Sequence, residues 1–259
     1  MMFDLNSSYY TFEDINHTVV DIMGRLRSHW TGTPSVLDVG CGRGQIGKAL
    51  GGLGYRVTGI EASPSALALA RERLAEVRAV DLTDEVAVRE EFGDRRFDTI
   101  LFADVLEHLA DPLRVLSFYR QFLNTGGRIV ISVPNIACWD RRLALLAGYF
   151  DYADAGTMDR THLRFFTFRT AQILVREAGL TTLAITHAPG IVRAFLPLIK
   201  RLLYKQKAEA SPEPTAILRS PAYRYYEKWI LPAEAMVAGL MKGLLSFRIV
   251  LVAEAHEAL

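Results

Sequence analysis

Little in this sequence marks a secreted, membrane-spanning or nucleic-acid-binding protein. Only two cysteines, Cys41 and Cys138, occur in 259 residues. That is too few for a disulfide framework, and a reducing cytoplasm is the simplest compartment. The six histidines are scattered, with no H-E-x-x-H or C-x-x-C spacing, so no metal is expected. No uninterrupted apolar run reaches the ~18 residues that would suggest a bilayer-crossing helix. The opening MMFDLNSSYY also lacks the basic-then-apolar order of a signal peptide. Neither sign of charge is in excess. A formal net charge of +1 gives no electrostatic argument for nucleic acid as a partner, and nothing repeats at a fixed period.

What is present is apolar. Half the residues are hydrophobic and 23% are charged, enough to bury a large core and to exclude a disordered chain. From Thr11 to Trp30, Phe12, Ile15, Val19, Ile22, Met23 and Leu26 recur at three- and four-residue steps, an amphipathic helix. Strands and helices then alternate. Strands are expected over Ser35–Val39, Arg56–Ile60, Val77–Val80, Phe97–Phe102 and Arg128–Val133, with helices from Gln45, from Ser63-Pro64 and from Asp111-Pro112. The last of these helices should stop at Asn124-Thr125-Gly126-Gly127. Phe168–Ala178 reads as a helix, and Leu180–Thr186 and Phe247–Ala253 as strands. This alternation predicts a mostly parallel sheet covered by helices on both faces.

The strongest local signal is Val36-Leu37-Asp38-Val39-Gly40-Cys41-Gly42-Arg43-Gly44. Glycines straight after a buried strand let the backbone turn tightly and approach a ligand, and the next helix offers its free N–H groups. Gly42, Gly44 and Gly47 also spell G-x-G-x-x-G, with Glu61 about where a dinucleotide site places its ribose acid. Two carboxylates count against that reading. Asp38 inside the first strand would repel a pyrophosphate but suits a zwitterionic amino acid, and Asp81 at the next strand's tip suits the amine of an adenine.

Taken together, V-L-D-V-G-C-G-R-G, V-T-G-I-E, A-V-D-L-T, F-D-T-I-L-F-A-D-V-L-E-H-L and G-G-R-I-V-I-S-V-P-N resemble the successive motifs of class I S-adenosylmethionine-dependent methyltransferases. The closest flavour is the group of ubiquinone-biosynthesis O-methyltransferases and bacterial glycan-associated methyltransferases. The resemblance implies a Rossmann-like α/β fold with a seven-stranded, mostly parallel sheet. Its cofactor would be S-adenosyl-L-methionine (SAM), leaving as S-adenosyl-L-homocysteine. It implies that Asp38, Gly40 and Gly42 hold the methionine part, with Gly44 permitting the loop. Glu61, followed by Ala62, would take the ribose hydroxyls, and Asp81 with the Leu82 backbone the adenine. Ala103 and Asp104 would line the sulfonium, and Tyr9 or Tyr10 would close over the cofactor.

Two histidines carry open alternatives. His108, in the Glu107-His108 pair, either touches cofactor or acceptor or is structural. Met158 to Thr167 resembles the D-x-T-H-x-R-F-F-T segment of these bacterial enzymes. There His162 is either the base that removes an acceptor proton, oriented by Asp159, or a residue that fixes the loop.

Residues 1–187 are expected to form the cofactor-binding core, 188–246 a helical cap and 247–259 the final strand and tail. Within the cap, Arg193, Lys200, Arg201, Lys205 and Lys207 interleave with apolar residues around Pro197. This stretch of 190–205 reads as a lid or homodimer surface, as an interfacial helix on an anionic membrane, or as a core extension. The function implied is methyl transfer, at oxygen, to a small molecule or glycan precursor. A lipid-soluble quinone or polyketide acceptor and a non-catalytic SAM-binding subunit are the alternatives.

Overall fold

A computed structural model describes residues 15–190 and 225–255. Tyr9, Tyr10 and the basic apolar stretch of 191–205 lie outside the described residues. Seven strands form one sheet in the order β3-β2-β1-β4-β5-β7-β6. These are β1 Ser35–Val39, β2 Arg56–Glu61, β3 Glu76–Ala79, β4 Phe97–Ala103, β5 Leu123–Pro134, β6 Leu180–Pro189 and β7 Ser246–Ala255. β1 to β5 pair in parallel, while β7 runs antiparallel to both β5 and β6. The Rossmann-like, mostly parallel sheet expected from sequence is what forms.

The pleat sorts the core into two layers. Leu37, Val39, Ile100, Phe102, Ile129 and Ile131 project to one face. There they meet α4 (Glu85–Phe92), α5 (Pro112–Tyr119) and α7 (Phe168–Glu177) through Val88, Phe92, Leu116, Tyr119 and Leu174. Val36, Leu101, Val130 and Val250 project to the other. Val19 and Met23 of α1 (His17–Leu26), Leu50 of α2 (Gln45–Gly52) and Ala70 of α3 (Pro64–Arg71) cover them. β1 is buried along its whole length, as a central strand between two helical layers must be. Each fully buried aliphatic or aromatic side chain contributes roughly 1.5–3 kcal/mol relative to exposure, so the sheet centre is the rigid part of the molecule.

Five elements differ most from the sequence reading. Helix α1 starts at His17, with Ile15 and Asn16 outside it, because the Asn16 side chain accepts from Val19 N at 3.2 Å and caps the helix there. Helix α5 stops at Tyr119, and β5 begins at Leu123 rather than Arg128. The strand absorbs the two glycines at a register shift against β4, Gly126 being at φ 72°. Helix α4, capped by Asp84, and α6 (Trp139–Leu146) were not foreseen.

Between β6 and β7, among the described residues, lie a π-helical turn Tyr226–Ile230, α8 (Leu231–Leu240) and α9 (Lys242–Leu245). They fall in the stretch read as helical from sequence. The two ends of this segment meet: Gly190 N donates to Leu245 O at 2.9 Å, beside the Pro189–Ser246 strand pair. No helix among the described residues is long and apolar enough to cross a membrane.

Candidate active site

β1 lies between β2 and β4, so the crossovers leave in opposite directions at the carboxyl ends of β1 and β4. In open α/β sheets such a switch point is where ligands bind. Gly40, Gly42 and Gly44 follow β1 with φ of 70°, 54° and 76°. This left-handed run is cheap only for glycine. A Cβ on Gly40 would also stand 3.0 Å from Val105 Cγ2, which shows how closely the loop approaches the segment after β4. Gly44 opens α2 without a side-chain cap, leaving first-turn N–H groups for a ligand.

Two carboxylates frame this cradle. Asp38 is 2% exposed, and its Oδ2 has no hydrogen-bond partner. Burial, and then the nearby Glu61 carboxylate, push its pKa up to about 7. Glu61, at the end of β2, ties the loop down. Its Oε2 accepts from Gly42 N at 2.9 Å, and its Oε1 from Ala62 N and Ser63 N at 2.9 and 2.8 Å. Sequence reading missed that clamp, although a carboxylate closing a strand opposite a glycine turn is its visible signal.

The outer positions are more open. Asp81 is exposed, and its Oδ1 accepts from the Thr83 amide and hydroxyl, both at 2.8 Å. Leu82 offers its carbonyl to the Tyr119 hydroxyl at 3.1 Å. Its side chain would be 3.5 Å from a Cβ on Gly40, which places it beside the cradle. Asp104 follows Ala103 at φ 55°, a conformation costly for a non-glycine residue. Ser132 Oγ donates to its Oδ1 at 2.9 Å, and Arg248 pairs with its Oδ2 at 2.9 Å. Asn16 Nδ2 reaches Asp104 Oδ2 at 3.3 Å and Ser132 Oγ at 3.0 Å. The Asp104 carboxylate thus binds the ends of β4, β5, β7 and α1 into one polar knot.

After Asp104 in the chain, the turn Leu106–His108 brings one histidine against another from a later segment. Leu163 N and Arg164 N donate to the Glu107 carbonyl at 2.8 and 3.0 Å, and the Arg164 guanidinium donates to Ala110 O. The 158–167 segment is thereby fastened over the turn Leu106–His108. The His108 and His162 rings meet edge to face, centroids 4.8 Å apart. His162 is buried and His108 exposed.

Asp159 does not orient His162 as expected from sequence. Its Oδ1 accepts from Thr161 N at 2.8 Å and Thr161 Oγ1 at 2.7 Å, while His162 Nδ1 lies 3.2 Å from the Thr157 carbonyl. Thr161 carries the contact onward, its Oγ1 being 3.0 Å and its carbonyl 3.3 Å from His108 Nδ1. A carbonyl only accepts, so both Nδ1 atoms carry the proton and both Nε2 atoms hold bare lone pairs. Desolvation lowers the pKa of both rings, at His108 through the protein packed around a ring that keeps one edge open to solvent, with His162 adding to the effect there, and both are neutral bases near pH 7.

Beside them Glu107 is 1% exposed, with neither carboxylate oxygen hydrogen-bonded. Burial, and then Asp104, raise its pKa well above the usual range. A recess of about 220 Å3 is lined by Ile136, Leu145, Tyr149, Phe150 and Met158 together with the charged Arg141 and Asp151. Phe165 links the two places, its ring 5.6 Å from Phe150 and 6.3 Å from His162.

Fold and switch-point cradle together define a nucleotide-type cofactor enzyme of the Rossmann-like class. Residues 13–185 match the family model described as a methyltransferase domain. The chain belongs to this family and is a SAM-dependent methyltransferase. A ubiquinone biosynthesis O-methyltransferase of Thiobacillus denitrificans is 30% identical over 71% of this chain and 79% of its own length. Matches to further proteins of that description span between 50% and 59% of their lengths. A SAM-dependent methyltransferase from Archaeoglobus fulgidus superposes with a TM-score of 0.58 at 17% identity, covering 93% of this chain and 95% of that one. A didemethyltoxoflavin N1-methyltransferase from Burkholderia thailandensis, solved with S-adenosylhomocysteine, gives 0.52 at 17% identity, covering 93% and 80%. At such identities the likeness is one of fold.

Proposed function

We propose that this chain transfers the methyl group of SAM to a hydroxyl oxygen of a small, largely apolar acceptor. The carrying observation is the pair of neutral imidazoles, each with its Nδ1–H committed, joined through Phe165 to a recess with aromatic walls. The residues of the cradle fit the cofactor. The orphaned, buried Asp38 oxygen needs a cation, which the ammonium of the methionine part supplies, and Gly40 and Gly42 let the chain approach it. Glu61 keeps a lone pair for the ribose hydroxyls beyond the three amides it already holds. The exposed Asp81 and the half-buried Leu82 frame the adenine, and Ala103 and the Asp104 backbone lie by the sulfonium. Bound SAM supplies a methyl group on an already activated leaving group. The protein's work is then alignment and proton removal.

In this reading His162 takes the acceptor's proton at Nε2, held by its Nδ1–H bond to Thr157. Thr161, fixed by Asp159, holds His108 alongside. His162→Ala is expected to lower turnover of a hydroxyl acceptor by about 10²–10⁴-fold while SAM binding persists. Turnover near wild type would leave the ring merely structural.

A quinone-like or other aromatic acceptor is favoured over a glycan precursor. Six of the eight residues that wall the recess, Tyr149, Phe150 and Met158 among them, are apolar or aromatic, and Arg141 and Asp151 are its two charged members. A sugar would want more convergent polar groups than this one pair of charges. Labelled methyl from SAM, incubated with host extract and partitioned, is expected in the organic phase. Label in water would return the glycan reading. No label in either phase would favour a SAM-binding subunit without turnover.

A further inference from the structure

We propose that Asn16 is a positioning residue for methyl transfer, holding Asp104 in place at the sulfonium end of the cofactor site. It rests on the placement of Ala103 and Asp104 beside the sulfonium given above, and adds a residue that belongs to neither the cradle nor the histidine pair.

The observation is a closed set of hydrogen bonds. Asn16 is 3% exposed, and each of its polar side-chain atoms has a partner. Its Oδ1 accepts from Val19 N, while its Nδ2 donates to Asp104 Oδ2 at 3.3 Å and to Ser132 Oγ at 3.0 Å. The Ser132 hydroxyl is used completely as well. It donates to Asp104 Oδ1 at 2.9 Å and accepts from Asp104 N at 3.0 Å and from Asn16 Nδ2. One donor and two lone pairs are all that a hydroxyl has. A buried network satisfied in this way is rigid.

At its centre is a strained residue. Among the described residues Asp104 is the one non-glycine with a positive φ, 55°. Such conformations persist where the surroundings over-determine them, and they gather at ligand sites. Asp104 is held at its amide and at both carboxylate oxygens, and Arg248 adds a further tie from β7.

The choice of asparagine follows from Asp104 rather than from the helix. An N-cap needs only a side-chain oxygen, which serine, threonine or aspartate would supply to α1 equally well. What asparagine adds is an NH2 with two donors, and both serve the ends of β4 and β5. Without them Asp104 is free to relax from its left-handed backbone. An in-line displacement tolerates little misplacement of the groups around it. SAM and S-adenosylhomocysteine differ only at the sulfur, by one methyl group and one positive charge, so the ratio of their affinities reports this end of the site.

The test is calorimetric titration of both compounds into the full-length protein and its variants. Asn16→Ser keeps a capping oxygen and loses both N–H donors, so helix content by circular dichroism should hold. The SAM-to-S-adenosylhomocysteine affinity ratio is expected to fall ~10-fold, the scale of a lost hydrogen bond to a charged group. Ser132→Ala leaves the α1 cap untouched and should move the ratio the same way. The double variant should move it little further than the larger single change, because both act through Asp104. A ratio that stays at the wild-type value overturns the proposal, since a merely structural role would weaken both compounds alike. Should Asn16→Ser lose helix content, Ser132→Ala alone decides. Asp38→Asn, titrated alongside, reports the cradle separately: wild-type SAM affinity there would strike the cofactor placement, whereas weakened affinity with an unmoved ratio in the Asn16 and Ser132 variants would strike only this role of Asn16.

Discussion

Asp38→Asn is expected to flatten the pH dependence of ligand-free stability while weakening SAM binding by at least ~100-fold. The two effects share one cause. In the folded chain burial, and then the Glu61 carboxylate, push the Asp38 pKa from its ordinary 3.8 up to about 7, so folding favours its protonated form. Below about pH 4 both states hold the proton and the site costs nothing extra. As the pH rises from 4 to 7 the unfolded chain releases the proton first, and stability falls by about 1.4 kcal/mol per pH unit. The total loss is on the order of 4 kcal/mol by neutral pH, fully incurred above it. Asparagine cannot ionise, and its buried amide costs roughly 1–3 kcal/mol at every pH. Melting curves of the ligand-free proteins between pH 4 and 8 should therefore converge or cross. A ligand ammonium reverses the penalty by pairing with the carboxylate, which is why the same substitution should abolish tight SAM binding. Calorimetry that returned wild-type SAM affinity for Asp38→Asn would remove Asp38 from the cofactor site.

Glu61→Ala is expected to cost more than its ribose contact alone. Losing a charge-assisted bidentate contact is worth on the order of 2 kcal/mol in SAM affinity. The clamp adds to this, because Gly42 N, Ala62 N and Ser63 N all lose their acceptor. Each amide without a partner costs roughly 1–3 kcal/mol where water cannot reach it, and Gly42, once released, samples more of its wide conformational range. Glu61→Gln separates the two contributions. It keeps one oxygen for the amides of Ala62 and Ser63 but turns an NH2 toward either Gly42 N or the ribose. The expected order of SAM affinity is wild type, then Gln, then Ala, with Ala also lowering the melting temperature. Unchanged SAM affinity in Glu61→Ala would sink the ribose assignment.

The centre of the sheet was legible in the sequence because its signals are local. β1 was read to the residue, since five buried positions run straight into a glycine turn. β2, β4 and β7 came within a few residues, for the same reason of β-branched runs between turn residues. Helix α4 escaped because half of EVAVREEF is charged and only Val88 and Phe92 are buried, so its apolar stripe is thin. Helix α6 escaped because none of its residues is buried, so no apolar stripe had to be written into it.

The site divided along the same line. Asp38, the glycines and Glu61 sit on consecutive strand ends, where order along the chain predicts order in space. The partners of Asp159, His108 and His162 depend on how the 158–167 segment lies over Leu106–His108, and that is a tertiary fact. A sequence shows Glu-His as a pair but not that the glutamate is sealed from water. The spacing of Asp159 and His162 suggested a dyad, yet a tight turn gave the carboxylate to Thr161 instead.

The meeting of Gly190 with Leu245 bears on how such an enzyme can diversify. β6 and β7 are adjacent antiparallel strands, so everything between them is, topologically, the loop of a single hairpin, however long it grows. Loop closure scales only with the logarithm of length, and doubling such an excursion costs about 0.6 kcal/mol. Lineages can therefore lengthen, shorten or replace this segment while the cofactor end keeps its register, because the hairpin stem is sealed before the excursion begins. Grafting the excursion of one relative onto the stem of another is the corresponding laboratory operation, with the junctions at 189 and 246.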